Sequence, residues 1–235
     1  MRKVLVFSGA GVSAESGIKT FRGGDGLWDN FKIEDVAAPS GWRKNKKLVI
    51  DFYNLRRKEM VDALPNDGHK IISELENDFE VLVVTQNVDN LHEKSGSTNV
   101  IHLHGELSKL RSSIDPTIKK SFDSDLILGD KCPKGSQWRP DIVWFGEDLD
   151  NDLLLKTESF AKNCDVCIVI GTSMSVYPAN GIPFWTKETC IIYYVDPDDI
   201  NFQIPRSRRG FFYHVKKGGS EGMLEVKNDL VDIFL

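Results

Sequence analysis

The chain has no apolar run near the length of a membrane span, and no secretory leader precedes the strand-like segment with which it opens, so neither a membrane anchor nor export is expected. It also lacks a basic excess. Its 30 basic and 35 acidic residues leave a net charge of −5, which gives no electrostatic drive toward nucleic acid. Four cysteines in 235 residues make no disulfide framework, and that points to a reducing cytoplasm. There is no internal repeat and no low-complexity tract. What remains is a chain long enough to bury a sizeable core, as one large domain or as a main domain with a small insertion.

Short apolar runs alternate with helical patterns along the sequence. Strands are expected near residues 3–8, 80–85, 99–103, 165–171, 190–195 and 210–215, and helices over 45–63, 67–77, 151–163 and 219–233. Strands this apolar are covered on both faces, which predicts an α/β fold built on a parallel sheet. The segment from about 106 to 140 differs. It is polar, carries Pro116, Gly129, Pro133 and Gly135, and lacks a strong apolar period, so it is expected to form a small inserted module.

Polar and small residues gather where the apolar runs end. The first run, Val4 to Phe7, leads into Ser8-Gly9-Ala10-Gly11-Val12-Ser13-Ala14. Gly9 and Gly11 suit a phosphate cradle, with Ala14 standing in for a third glycine and a helix opening near Val12; an ordinary glycine-rich turn is the alternative. The glycine-rich stretch that follows carries Phe21, Arg22, Asp25 and Trp28 and suggests a lid. The second run ends in Thr85-Gln86-Asn87-Val88-Asp89, whose amides suit a carboxamide and ribose hydroxyls, while Asn87 or Asp89 as a helix cap is the alternative. The third ends in His102-Leu103-His104-Gly105-Glu106. No carboxylate or cysteine beyond Glu106 stands at ligand spacing, so no metal site is expected there, and His102 reads as a satisfied strand histidine. Gly171, Thr172 and Ser173 close the next run, and Asp196 the one after. A carboxylate at Asp196 would accept from a ribose and repel a 2′-phosphate; a loop residue before Pro197 is the alternative.

Two further stretches suggest a substrate. Residues 139–147 are extended, with an exposed-looking pair, Trp144 and Phe145, and could pair with another strand, although a core strand is the alternative for Ile142 and Trp144. Tyr53 and Arg56 are three apart in a helical pattern and share a face, a good receptor for a carboxylate; otherwise Arg56 and Arg57 are solvated surface charges.

Taken together in this order, G-A-G-V-S-A-E-S-G-I-K-T-F-R, T-Q-N-V-D-N-L-H, H-G-E-L, V-W-F-G-E and G-T-S, the chain resembles the sirtuin family of NAD-dependent protein deacylases over residues 2–233, and is most similar to its small bacterial members. The resemblance implies a Rossmann-like catalytic domain over 1–235, with a helical insertion at about 30–66 and a small degenerate zinc-ribbon-like module at about 106–140. It implies NAD as cofactor, acylated lysines of proteins as substrate, and nicotinamide, free lysine and O-acyl-ADP-ribose as products. His104 is then the general base, suited by a near-neutral imidazole. Asn87 and Asp89 hold nicotinamide and water, Gln86 lies near the ribose, and Phe21 and Arg22 close over the site. Gly9, Ala10, Gly11, Gly171, Thr172, Ser173 and Asp196 complete the cofactor contacts. Val143, Phe145, Gly146 and Val176 line the lysine tunnel. The pattern Y-N-L-R at Tyr53 and Arg56, with Ala37 upstream, resembles the subgroup that removes succinyl and malonyl groups. Other uses of such a scaffold are an NAD glycohydrolase, an ADP-ribosyltransferase, or a non-catalytic NAD or ADP-ribose sensor, against which His104 and V-W-F-G-E argue. The family's two C-x-x-C pairs read here as Ser112, Asp115, Cys132 and Gly135, so no zinc is expected, and packing around Leu126, Ile127, Leu128 and Trp138 is expected to hold the module. Cys164 and Cys167 form a C-x-x-C, but strand alternation aims them apart. A monomer is expected.

Overall fold

The computed structural model describes residues 1–20 and 31–235. Six strands form a parallel sheet: β1 (Lys3–Ser8), β2 (Glu80–Thr85), β3 (Val100–His102), β7 (Val166–Ile170), β8 (Ile191–Val195) and β9 (Phe212–Val215), in the spatial order β3-β2-β1-β7-β8-β9. The central strands are buried on both faces, which is why they appear in the sequence as unbroken apolar runs rather than alternating ones. On one face Val4, Val6, Val83 and Ile168 pack with Ile72, Met223, Val226 and Leu230 of α4 (Asp67–Glu74) and α7 (Gly219–Phe234). On the other, Leu5, Phe7, Leu82 and Val169 pack with Ala161 of α6 (Asn151–Ala161) and with Ala179 and Ile182 of the 3-10 helix Ala179–Trp185.

A second core lies away from this sheet. Two short helices, α1 (Ile33–Val36) and α2 (Pro39–Lys44), lead into α3 (Lys46–Asp62), whose first turn is capped by the Asn45 side chain accepting from the Leu48 N–H at 3.1 Å. α5 (Leu91–Lys94) follows β2. The polar segment after His104 is a three-stranded antiparallel sheet, β5 (Lys119–Ser121), β4 (Gly105–Ser112) and β6 (Trp138–Ile142). Leu107, Leu110, Leu126, Trp138 and Ile142 of this module share one cluster with Val49, Phe52, Tyr53 and Met60 of α3 and with Trp42 and Trp144. Arg57, 2 % exposed, ties the two parts: its Nε donates to the Leu107 carbonyl at 2.8 Å and its Nη1 to Asn54 Oδ1 at 2.9 Å and the Ser124 carbonyl at 3.3 Å. Leu126 and Trp138 are buried as expected. Ile127 and Leu128 are 65 % and 52 % exposed, so their side chains do not form the module's core. No helix among the described residues is long and apolar enough to cross a membrane.

Candidate active site

The sheet order changes direction between β1 and β7, the switch point beside which ligands of a parallel sheet are expected. Three glycines let the two loops that leave these strands touch at that point. Gly9 N–H donates to the Ile170 carbonyl at 3.0 Å and Gly11 N–H to the Gly171 carbonyl at 2.8 Å. A Cβ on Gly9 would stand 2.7 Å from the Gly171 oxygen, one on Gly11 would stand 2.7 Å from the Gly171 Cα, and Gly171 itself has φ +61°. The helix expected to open near Val12 is present as a 3-10 helix, Ala10–Ser16, without the free N–H groups at Gly11 and Val12. The N–H groups of Gly9, Gly11 and Val12 already donate to carbonyls of the protein. The glycines serve the close approach of the two loops.

The loop after β2 is joined to both neighbours. Gln86 N–H donates to the Ser8 carbonyl at 2.9 Å and its side-chain amide to Thr172 Oγ1 at 3.0 Å. Asn87 and Asp89 are 4 % and 6 % exposed. Ser13, which the sequence reasoning did not single out, sits between them: its hydroxyl donates to Asp89 Oδ2 at 3.1 Å and accepts from the Asn87 amide at 3.1 Å, while that amide also reaches the Gly9 carbonyl. Its only sequence signal was its place in G-A-G-V-S. The capping alternative holds in part, because Asp89 Oδ1 accepts from the Leu91 N–H at 3.1 Å. Burial pushes the Asp89 carboxyl up. Its two hydrogen bonds and the charges of His102 and Arg56 oppose that push without cancelling it.

His104 lies just past β3. Its Nδ1 is 3.0 Å from the Gln86 carbonyl, and a carbonyl only accepts, so Nδ1 carries the proton and Nε2 is left with the lone pair. Burial holds the imidazole below its ordinary value, against the upward pull of the Gln86 bond, so it stays neutral at neutral pH. A neutral imidazole with a free Nε2 is a base. Asp196 stands at the end of β8, with its Oδ1 accepting from the Asp198 N–H at 3.0 Å and its carboxyl raised chiefly by burial. Ser173 follows at the surface, its hydroxyl accepting from Ser175 at 3.0 Å. Phe21 and Arg22 lie outside the described residues.

The residues expected to meet substrate lie at or beside the second core. Val143 N–H donates to the His104 carbonyl at 2.9 Å and Phe145 N–H to the Ala37 carbonyl at 2.9 Å, so the segment after β6 runs between His104 and the end of α1. Of the exposed-looking pair, Trp144 takes the core-strand alternative, 2 % exposed with Arg139 stacked 3.2 Å from its ring centroid, while Phe145 is open, at 44 %. Gly146 turns the chain with φ +88°. Val176 is half-buried in the loop after β7, its carbonyl accepting from Asn180 N–H at 2.9 Å. Tyr53 and Arg56 are 5 % exposed each, so the reading of solvated surface charges does not hold, and Arg57 is spent on the module. The Tyr53 phenol oxygen accepts from Trp144 Nε1–H at 3.1 Å, and burial pushes the phenol well above its ordinary value. Arg56 Nη1 pairs with Glu59 at 2.7 Å, and its charge pulls down both the Tyr53 phenol and the Asp89 carboxyl against their burial.

At the module's apex Cys132 Sγ lies 3.2 Å from Ser112 Oγ and 3.1 Å from Ser136 Oγ, and Asp115 is turned aside to Lys134 at 2.6 Å. Among the described residues no three His, Cys, Asp or Glu side chains stand together as a metal site. Cys164 does not face Cys167 but Cys190, with sulfurs 3.5 Å apart, and all four cysteines are free.

Comparison with known proteins agrees with this arrangement. A protein of Helicobacter pylori described as an NAD-dependent protein deacylase is 47 % identical over 207 residues, 88 % of this chain and 90 % of its own. One of the same description from Bacteroides thetaiotaomicron is 44 % identical over 98 % of this chain and 99 % of its own. A solved Sir2 homologue in complex with ADP-ribose superposes with a TM-score of 0.87 at 36 % identity, over 99 % of this chain and 94 % of that one. The Sir2 family profile matches residues 9–178, which take in Gly9, Gly11, Gln86, Asn87, Asp89, His104 and the segment from Val143 to Gly146, and the chain belongs to the Sir2 family.

Proposed function

As a Sir2-family member the chain is an NAD-dependent protein deacylase, and we propose that it frees protein lysines from acidic acyl groups, succinyl or malonyl, as well as from acetyl. The observation that carries the acidic specificity is the burial of Tyr53 and Arg56 together. The guanidinium is buried with Glu59 as its ion-pair partner on the same helix, and a phenol whose oxygen already accepts from Trp144 has its own hydrogen left to donate. Beside Ala37, which leaves room, the pair offers a charge-assisted fork and a further donor at the depth an acyl carboxylate would reach.

The residues at the strand ends fit NAD: the buried Asn87 amide and Asp89 carboxyl, fixed by Ser13, match a carboxamide, and Asp196 suits an unphosphorylated adenosine ribose. When bound, NAD supplies a ribose carbon with nicotinamide as leaving group and a ribose hydroxyl that ends as the acyl acceptor. His104 Nε2 takes the proton of that hydroxyl. Gln86 holds the His104 ring through its carbonyl and reaches Thr172 through its amide. Gly9, Ala10, Gly11, Gly171, Thr172 and Ser173 border the cofactor, and Val143, Phe145, Gly146 and Val176 border the lysine chain and its peptide.

The module is held without zinc on this reading, since one thiolate among two serine hydroxyls cannot make a tetrahedral site. Four free cysteines are in keeping with a reducing cytoplasm, where a monomer would suffice for the reaction. Incubating the protein with NAD and matched acetyl-, succinyl- and malonyl-lysine peptides, and weighing the products, tests the reading. Free lysine and O-acyl-ADP-ribose are expected from all three, and activity on acetyl alone would remove the acidic specificity.

A further inference from the structure

The two histidines of I-H-L-H do different work, and the first is not a bystander. His102 is 9 % exposed, and both of its ring nitrogens face oxygens. Nδ1 is 3.0 Å from the Asn87 carbonyl and Nε2 is 2.7 Å from Glu93 Oε1 of α5. A carbonyl only accepts, and so does an ionised carboxylate; the ring satisfies both only as an imidazolium. His104 grips the Gln86 carbonyl through its own Nδ1–H, so consecutive carbonyls of the loop after β2 are held by two side chains of one strand segment.

We propose that His102, charged and paired with Glu93, is a positioning residue for the nicotinamide pocket: it fixes the Asn87 carbonyl, and with it the loop that aims the Asn87 amide and the Asp89 carboxyl. The charge also acts on Asp89, whose carboxyl it favours in the ionised form. Burial pulls the His102 imidazole down, but the Glu93 bond and charge, the Asn87 bond and the Glu106 charge together raise it above the ordinary value, while Glu93 is lowered by the same bond against its own burial. The other charged or titratable groups around the pair are His92 of α5, neutral and pushed down by burial, and Lys109 of β4, which pairs with Glu106 at 2.5 Å. The two histidines are thus driven to opposite states: His104 neutral for proton removal, His102 cationic for position.

The pH dependence follows. His102 does its work protonated, so its contribution is present at low and neutral pH and is lost as pH rises through its raised value; the acid limb belongs to His104, which must be neutral. Two measurements test this. In protein labelled with 15N-histidine, both ring nitrogens of His102 should report N–H at pH 7.5; an Nε2 without a proton overturns the proposal. Glu93→Gln keeps an acceptor in place but removes the charge. In that variant the alkaline limb of kcat/KM for NAD, measured on an acetyl-lysine peptide, should fall by about one pH unit or more. The effect should enter through KM for NAD while the acid limb stays. An unmoved alkaline limb in a folded Glu93→Gln protein also overturns the proposal, and should that variant fail to fold, the nitrogen spectrum of the unaltered protein decides.

Discussion

Replacing Arg56 by Met should separate acidic from neutral acyl substrates. The Arg56 side chain is 6 % exposed and pairs at 2.7 Å with Glu59, which is 35 % exposed and sits one turn on along α3. A substrate carboxylate therefore meets a cation that is already partly neutralised, and its gain is one more charge-assisted hydrogen bond, with the Tyr53 phenol as a second donor. That gain is roughly 1.5–3 kcal/mol, or about 10- to 150-fold in affinity. Met keeps most of the chain's length and apolar contact, so Arg56→Met should raise KM for succinyl-lysine peptides by about that factor. Acetyl-lysine has nothing to offer the guanidinium, and its kcat/KM should stay within about twofold. Glu59→Gln works in the opposite direction: with the competing anion gone, KM for the succinyl peptide should fall while the acetyl peptide is unaffected. Steady-state kinetics with nicotinamide release as the readout is sufficient. Equal loss on both peptides would mean that Arg56 supports the fold around Tyr53 and Trp144, and the carboxylate-receptor argument would be refuted.

Three further outcomes are expected. His104→Ala should keep NAD affinity and lose about 100-fold or more in turnover, the usual size for a general base; near-normal turnover would remove His104 from that role. Purified protein should contain no stoichiometric zinc by elemental analysis, and one zinc per chain, lost with activity on chelation, would contradict the hydroxyl-lined Cys132 site. His69, fully buried, is held at about 4 chiefly by burial, against an ordinary 6.5, so the unfolded chain binds its proton first: the stability this gives is present above pH 6.5 and disappears as pH falls toward 4. The difference is about 3 kcal/mol, and His69→Gln should flatten the urea-unfolding profile between those pH values by about that much; an unchanged slope in the variant would show that other groups set it.

The strands of the large sheet were legible because both their faces are buried, which leaves an apolar run bounded by polar turns. Observed limits such as Glu80–Thr85 and Val166–Ile170 fall within a residue of those expected. β4 was not legible, and its geometry shows why. Its pairing with β6 shifts register between Glu106 and Leu110, so the buried residues Leu107 and Leu110 stand three apart and the period of two is broken. The cysteines were legible only in part. Strand alternation was expected to aim Cys164 away from Cys167, and it does; the partner, Cys190, was not legible, because Cys164 and Cys190 each lie just before one of two adjacent parallel strands, and lateral neighbours in a parallel sheet are far apart in sequence.

The candidate site was legible to the extent that its residues stand at strand ends, where a parallel sheet delivers them to one edge whatever its strand order. What holds them there was not. Ser13 fixes Asn87 and Asp89, Trp144 gives the Tyr53 phenol its direction, and His102 answers Asn87 from one side and Glu93 from the other, and each of these contacts joins elements remote in the chain. A side chain that touches substrate is constrained by chemistry, which restricts the residue type and leaves a motif. A side chain that orients it is constrained by where two oxygens happen to lie, and a histidine between a carbonyl and a carboxylate has no local pattern to distinguish it from one that merely fills a strand. That is why I-H-L-H yields its second histidine to sequence reasoning and its first only to the hydrogen-bond geometry.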